Sequence, residues 1–84
     1  MMIRSLQIFT NLAQTKSFTK TAHQNYLTQP AVSRHIRALE NRFGARLVDR
    51  SQRNVTLTEE GQKVYEAGMR ILEEFRRLED EIKQ

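Results

Sequence analysis

Between Thr28 and Gly44 the chain carries a helix with both ends marked and a polar side that no protein interior would accept. Val32, Ile36, Leu39 and Phe43 recur at spacings of 4, 3 and 4 residues. At about 100° per residue they fall within roughly 60° of arc, one narrow apolar stripe that has to be buried. Thr28 suits the N-cap, Pro30 lies in the first turn where its missing N–H is harmless, and Gly44 suits the left-handed stop after Phe43. Opposite the stripe lie Pro30, Arg34, Arg37 and Asn41, with Gln29 and Ser33 on the flank nearer the N-terminus. Arg, Gln, Ser and Asn are side chains that pair with base edges and phosphates. A solvated basic face is the plainer alternative, and what the chain builds around this helix has to decide between them.

Eighty-four residues allow one small domain, which buries only about 60 to 65% of its unfolded surface and gains from a partner subunit. Charge is unevenly spread. Residues 1–57 hold nine Lys and Arg against two Asp and Glu, whereas residues 58–84 hold five against eight. A basic front and a mildly acidic tail point to a polyanion bound by the front alone. The chain has no cysteine, so a disulfide framework and a thiolate metal site are excluded. His23 and His35 lie twelve residues apart with no acidic companion at ligand spacing, and both are expected to be surface histidines. Neither a metal nor any other cofactor is expected. No nucleophile stands beside a base and no glycine-rich phosphate loop is present, so the chain is not expected to be an enzyme. The absence of an apolar run near the ~18 residues of a membrane span, and of a signal-peptide opening, predicts a cytoplasmic protein.

In chain order, Leu6, Phe9, Leu12 and Ala13 give a first amphipathic helix over Met2 to Thr15. Ser17 caps a second helix of about two turns, Phe18 to Gln24, with Phe18, Thr21 and Ala22 inward. Residues 25–27 form the turn into the Thr28 helix, an arrangement expected of a helix-turn-helix, with a plain helical hairpin as the alternative. After Gly44 the pattern alternates over Ala45 to Arg50 and again over Val55 to Leu57, two short strands around a polar tip, with Arg50 and Arg53 at or near it. Such a hairpin is marginal alone and must lean on the helices through Leu47, Val55 and Leu57. Thr58 caps a last helix that can run to the C-terminus, with Glu59 and Glu60 at its positive end. Val64, Gly68, Ile71, Phe75, Leu78 and Ile82 follow at spacings of 4, 3, 4, 3 and 4, a seam of period 3.5. A helix of roughly 36 Å is too long for so small a domain to cover. The seam is expected to pair with a second copy, or else with a domain outside this chain. The fold expected is mainly α: three helices and a β-hairpin wing over residues 1–57, then a long dimerisation helix over 58–84.

Ser17-Phe18-Thr19, Gln29-Pro30-Ala31-Val32-Ser33-Arg34, Ile36-Arg37, Leu39-Glu40, Phe43-Gly44, Leu47, Arg50, Arg53, Val55, Leu57-Thr58 and Gly61, in this spacing, resemble the N-terminal DNA-binding domain of LysR-type transcriptional regulators. The resemblance implies a winged helix-turn-helix homodimer on bacterial DNA. Its linker helices would pair antiparallel, usually within larger tetramers, on interrupted inverted repeats. Carried over by position, Gln29, Pro30, Ser33 and Arg34 face the groove, Arg37 neighbours them, and Arg50 and Arg53 are wing contacts. Ser17, Thr28 and Ala31 complete the candidate DNA-binding set. The sequence departs from the family where Asn25 replaces leucine, Val48 phenylalanine, and Thr21 and Glu60 alanine. Asn25 removes an apolar contact from the turn that Tyr26 or Leu27 must replace. Full chains of the family continue into a two-lobed effector-binding domain, so a small-molecule effector is expected to act only through a domain not present here. The ending Glu81-Ile82-Lys83-Gln84, still helical in pattern, favours a domain excised from such a chain over the alternative of a natural short form. A protein-interaction module worked by the tail helix, without specific DNA readout, is the alternative function.

Overall fold

In the computed structural model, which describes residues 2–83, every helix after the first starts at a hydroxyl. Ser17 Oγ accepts from the Lys20 N–H at 3.1 Å, Thr28 Oγ1 from Ala31 at 3.2 Å and Thr58 Oγ1 from Gly61 at 2.9 Å. Each cap satisfies an amide that the first turn leaves without a partner. The order is α1 (Ile3–Thr15), α2 (Phe18–Gln24), α3 (Gln29–Phe43), β1 (Val48–Asp49), β2 (Thr56–Leu57) and α4 (Glu59–Lys83). The two strands pair antiparallel, Val48 with Leu57 and Asp49 with Thr56. Gly44 closes α3 at φ 64°, the left-handed stop that a residue lacking Cβ adopts without strain. The whole is a winged helix-turn-helix followed by a long helix.

α1 packs against α2, α3 and α4 together. Its Ile8, Phe9 and Leu12 are fully buried with Val32, Ile36 and Leu39 of α3, Ala22 of α2, and Leu47 and Val48 at the start of the wing. Because α1 is covered on three sides, its buried surface is wider than one stripe: Ser5, Ile8 and Thr10 join the interior while Ala13 is only half-buried. Phe43 corrects the expected α3 stripe, being 56% exposed. It sits in the last turn, where α3 opens onto a cavity of about 770 Å³ lined by Met2, Leu6, Leu39, Val64 and Ile71 among others.

The hairpin is shorter than alternation suggests, two residues a strand rather than six and three. Leu47 and Val48 are adjacent yet both buried, which alternation does not allow. The backbone before β1 is instead held by Glu40, whose carboxylate accepts from the Leu47 N–H at 2.9 Å and the Val48 N–H at 3.4 Å. α4 docks on the same segment. The Thr58 N–H donates to the Leu47 carbonyl at 3.1 Å, its hydroxyl donates to the Arg46 carbonyl at 2.6 Å, and a Cβ on Gly61 would collide with the Leu47 carbonyl oxygen. Val55 N–H donates to the Lys16 carbonyl at 3.3 Å, tying the other strand to the corner between α1 and α2.

At the turn, Leu27 packs on the core and Tyr26, at φ 57°, is 96% exposed, so Leu27 alone makes the apolar contact. Asn25 contributes polar ties instead, donating from Nδ2 to Asn11 Oδ1 at 2.7 Å and to the Thr21 carbonyl at 2.8 Å.

Glu40 makes the sharpest stability prediction. Its side chain is 12% exposed, whereas that of its ion-pair partner Arg46, 3.6 Å away, is 74% exposed. Glu40→Ala leaves two amides without their charged acceptor and is expected to cost about 1.5 to 3 kcal/mol in urea unfolding. Arg46→Ala should cost under about 1 kcal/mol. Equal losses would refute the amide-clamp role.

Candidate nucleic-acid interface

The narrow apolar stripe of α3 leaves most of its circumference free. Thr28, Gln29, Pro30, Arg34 and Arg37 are exposed, and Ala31 and Ser33 are half-buried on the flanks. The hydroxyls of Thr28 and Ser17 each accept a capping bond, which leaves their protons free to donate outward.

Contacts between elements join this face to the start of α2 and to the wing. Gln29 Nε2 donates to Thr19 Oγ1 at 2.9 Å. One residue before Thr19, the Phe18 ring carries the Arg50 guanidinium 4.3 Å from its centroid, a cation–π contact. Arg50 also lines, with Arg37, Asn41 and Arg46, a cleft of about 610 Å³ between the C-terminal half of α3 and the wing. The surface that results runs from Gln29 through Thr19, Phe18 and Arg50 to Arg37. Arg53 stands apart on the exposed tip at residues 51–54. Beside that tip, hydrogen bonds from the Ser51 side chain and backbone hold the Asp49 carboxyl below its ordinary range.

Arg50, expected at or near the tip, adjoins it and lays its guanidinium over Phe18, a residue to which the sequence assigns only an inward role. Thr19 carried no assigned role. Nothing local marks an arginine for an aromatic ring 32 positions away, so pattern alone had no means of finding the pair.

His35 is a second correction. It is half-buried, with Nδ1 2.8 Å from Ser5 Oγ on α1. Burial first, then the neighbouring guanidinium groups of Arg4 and Arg34, hold its imidazole below the usual histidine pKa. Among the described residues no three His, Cys, Asp or Glu side chains gather as metal ligands do.

The α4 seam divides. Gly68 is buried under α1, where an added Cβ would lie 3.0 Å from Leu6 Cδ1, and Val64 packs on the core, so both are spent inside the chain. Ile71, Phe75, Leu78 and Ile82 are 36% to 76% exposed and continue that line along the helix. No helix of the described residues is long and apolar enough to cross a membrane.

Residues 3–62 match the family described as bacterial regulatory helix-turn-helix protein, lysR family. The chain is 43% identical over 82 residues to the SDS degradation transcriptional activation protein of Pseudomonas sp., covering 98% of this chain and 27% of that protein. It superposes with a TM-score of 0.93 at 32% identity on the BenM DBD in complex with catB site 1 DNA, covering 99% and 92% of the two chains. Vibrio fischeri DarR in complex with DNA gives 0.92 at 33% identity, covering 96% of this chain and 28% of that one. The chain spans about a quarter of the length of such curated relatives.

The His35 environment sets a pH dependence. Its folded pKa lies below the unfolded one, so the unfolded chain takes up protons first as pH falls. The stability this group contributes is present above the ordinary histidine pKa of about 6.5 and is lost as pH drops through the lower folded value. Melting temperatures should therefore fall between pH 7.5 and pH 5.5 by more in wild type than in His35→Gln. Parallel curves would refute the assignment.

Proposed function

Since the chain belongs to the lysR family of bacterial regulatory helix-turn-helix proteins, we propose that it binds double-stranded DNA sequence-specifically as a homodimer and so regulates transcription in the bacterial cytoplasm. The observation that carries this reading is the joined polar surface of α3, the start of α2 and the wing: Gln29, Pro30, Arg34 and Arg37 exposed on one helix, with Arg50 held beside them. A face of this composition lies in the major groove with the N-terminal half of α3 leading. Gln29 pairs with adenine, Pro30 and Ala31 touch a thymine methyl, Arg34 reaches guanine or phosphate, and Ser33 reaches phosphate. Arg53 on the wing tip, with Arg50 behind it, takes the backbone or the adjoining minor groove.

The exposed line Ile71, Phe75, Leu78 and Ile82 supports pairing with a second copy, which would fix the distance between two recognition helices and call for an interrupted inverted repeat. Tetramers, in this reading, and any response to a small-molecule effector, belong to a longer chain that includes an effector-binding domain.

Two variants test the reading separately. Arg53→Ala is expected to weaken binding to all duplexes alike and to flatten the dependence of log K on log salt by about 0.9 for each lost phosphate contact. An unchanged affinity and slope in gel shifts at two salt concentrations would refute the wing contact. Phe75→Asp combined with Leu78→Asp is expected to give monomers by light scattering and a large loss of DNA affinity, and a dimer that persists would refute the seam.

A further inference from the structure

The start of α2 has no base-reading task of its own in the proposed function, yet it makes a direct side-chain contact with a residue that does. We infer that Thr19 is a positioning residue that fixes the amide of Gln29 for adenine; the inference rests on the reading of Gln29 as a base contact. Gln29 is the first residue of α3, exposed, on a side chain with three rotatable bonds. Left alone, such an amide presents its oxygen or its nitrogen to the groove with similar ease, and its rotamer freedom is lost on binding. Thr19 Oγ1 accepts one of the two Nε2 protons at 2.9 Å. That contact fixes which edge of the amide faces outward. The second Nε2 proton and Oε1 have no hydrogen-bond partner among the described residues. They leave one donor and one acceptor, the pair that adenine N7 and N6–H complement in the major groove.

Thr19 is well suited to the task. It is β-branched, so its χ1 is restricted by the helix it stands on. Its helix is held firmly as well: Ser17 caps it, Thr21 is fully buried with its hydroxyl 2.7 Å from that of Thr15, and Asn25 ties its end to Asn11. Because Thr19 is itself exposed, removing its hydroxyl leaves the core intact.

The test compares wild type, Thr19→Val, Thr19→Ser, Gln29→Ala and the Thr19→Val, Gln29→Ala double variant by selection of bound sites from randomised duplexes, followed by gel shifts on the selected site and its single-base changes. Wild type should prefer adenine at the position where Gln29→Ala loses its preference, by about 5- to 150-fold. Thr19→Val should lose about two- to twelvefold of discrimination at that same position and nowhere else. Thr19→Ser should restore the preference. In the double variant the Thr19 change should add nothing to the loss from Gln29→Ala. A Thr19→Val protein that keeps the full adenine preference, or loses affinity evenly over all sequences, overturns the positioning role. A wild-type preference for guanine at that position overturns the amide orientation. A wild-type chain that binds DNA but whose site preferences Gln29→Ala leaves unchanged overturns the inference through Gln29 alone, and one that binds no duplex at low salt overturns the DNA reading together with it.

Discussion

α1 has to be buried on three sides, and the rest of the molecule is arranged around that requirement. Ile8, Phe9 and Leu12 are fully buried on a helix against which α2, α3 and α4 all pack. Complete burial of such side chains stabilises by about 1.5 to 3 kcal/mol each, a large share for a chain of 84 residues. With α1 supplying so much of the interior, α3 needs to contribute only Val32, Ile36 and Leu39. Most of its surface is released from any structural duty and is free to carry glutamine and arginine outward.

Backbone hydrogen bonds as well as the buried Leu47 and Val48 hold the wing to this core. The Leu47 segment takes the Glu40 carboxylate on its amides and the Thr58 N–H on its carbonyl, while α4 approaches so closely that position 61 must be glycine. Recognition helix, wing and long helix therefore meet at one short stretch of chain. Arg50 sits at the far end of the same unit, where the Phe18 ring holds its charge beside the α3 face instead of leaving it to swing in solvent.

Local chemistry was legible from end to end. The hydroxyl caps at Ser17, Thr28 and Thr58, the glycine stop at position 44 and the apolar stripe of α3 all act within four residues, a range over which spacing alone specifies geometry. The bounds of α2 and α3 follow from them. Where prediction went astray, partners lay far apart in sequence. Alternation extended the strands because it could not see that a glutamate seven positions upstream of Leu47 occupies that residue's amide. Phe43 has the spacing of a buried residue, but it faces the open cavity between α3, α1 and α4 and stays 56% exposed. Asn25 looked like a weak point in the turn, and Asn11, fourteen residues earlier, is what engages it.

The sequence by itself determined the order and extent of the helices, the basic front and acidic tail, and the family, because caps, stripes and charge are properties of neighbouring residues. Only the tertiary structure decided which side chains are paired across elements: Gln29 with Thr19, Arg50 with Phe18, His35 with Ser5. It also divided the α4 seam, spending Gly68 on α1 and Val64 on the core and leaving Ile71, Phe75, Leu78 and Ile82 exposed. Periodicity identifies the face of a helix that must be buried. Which neighbour buries it depends on how far that neighbour extends, and that is settled only when the elements pack.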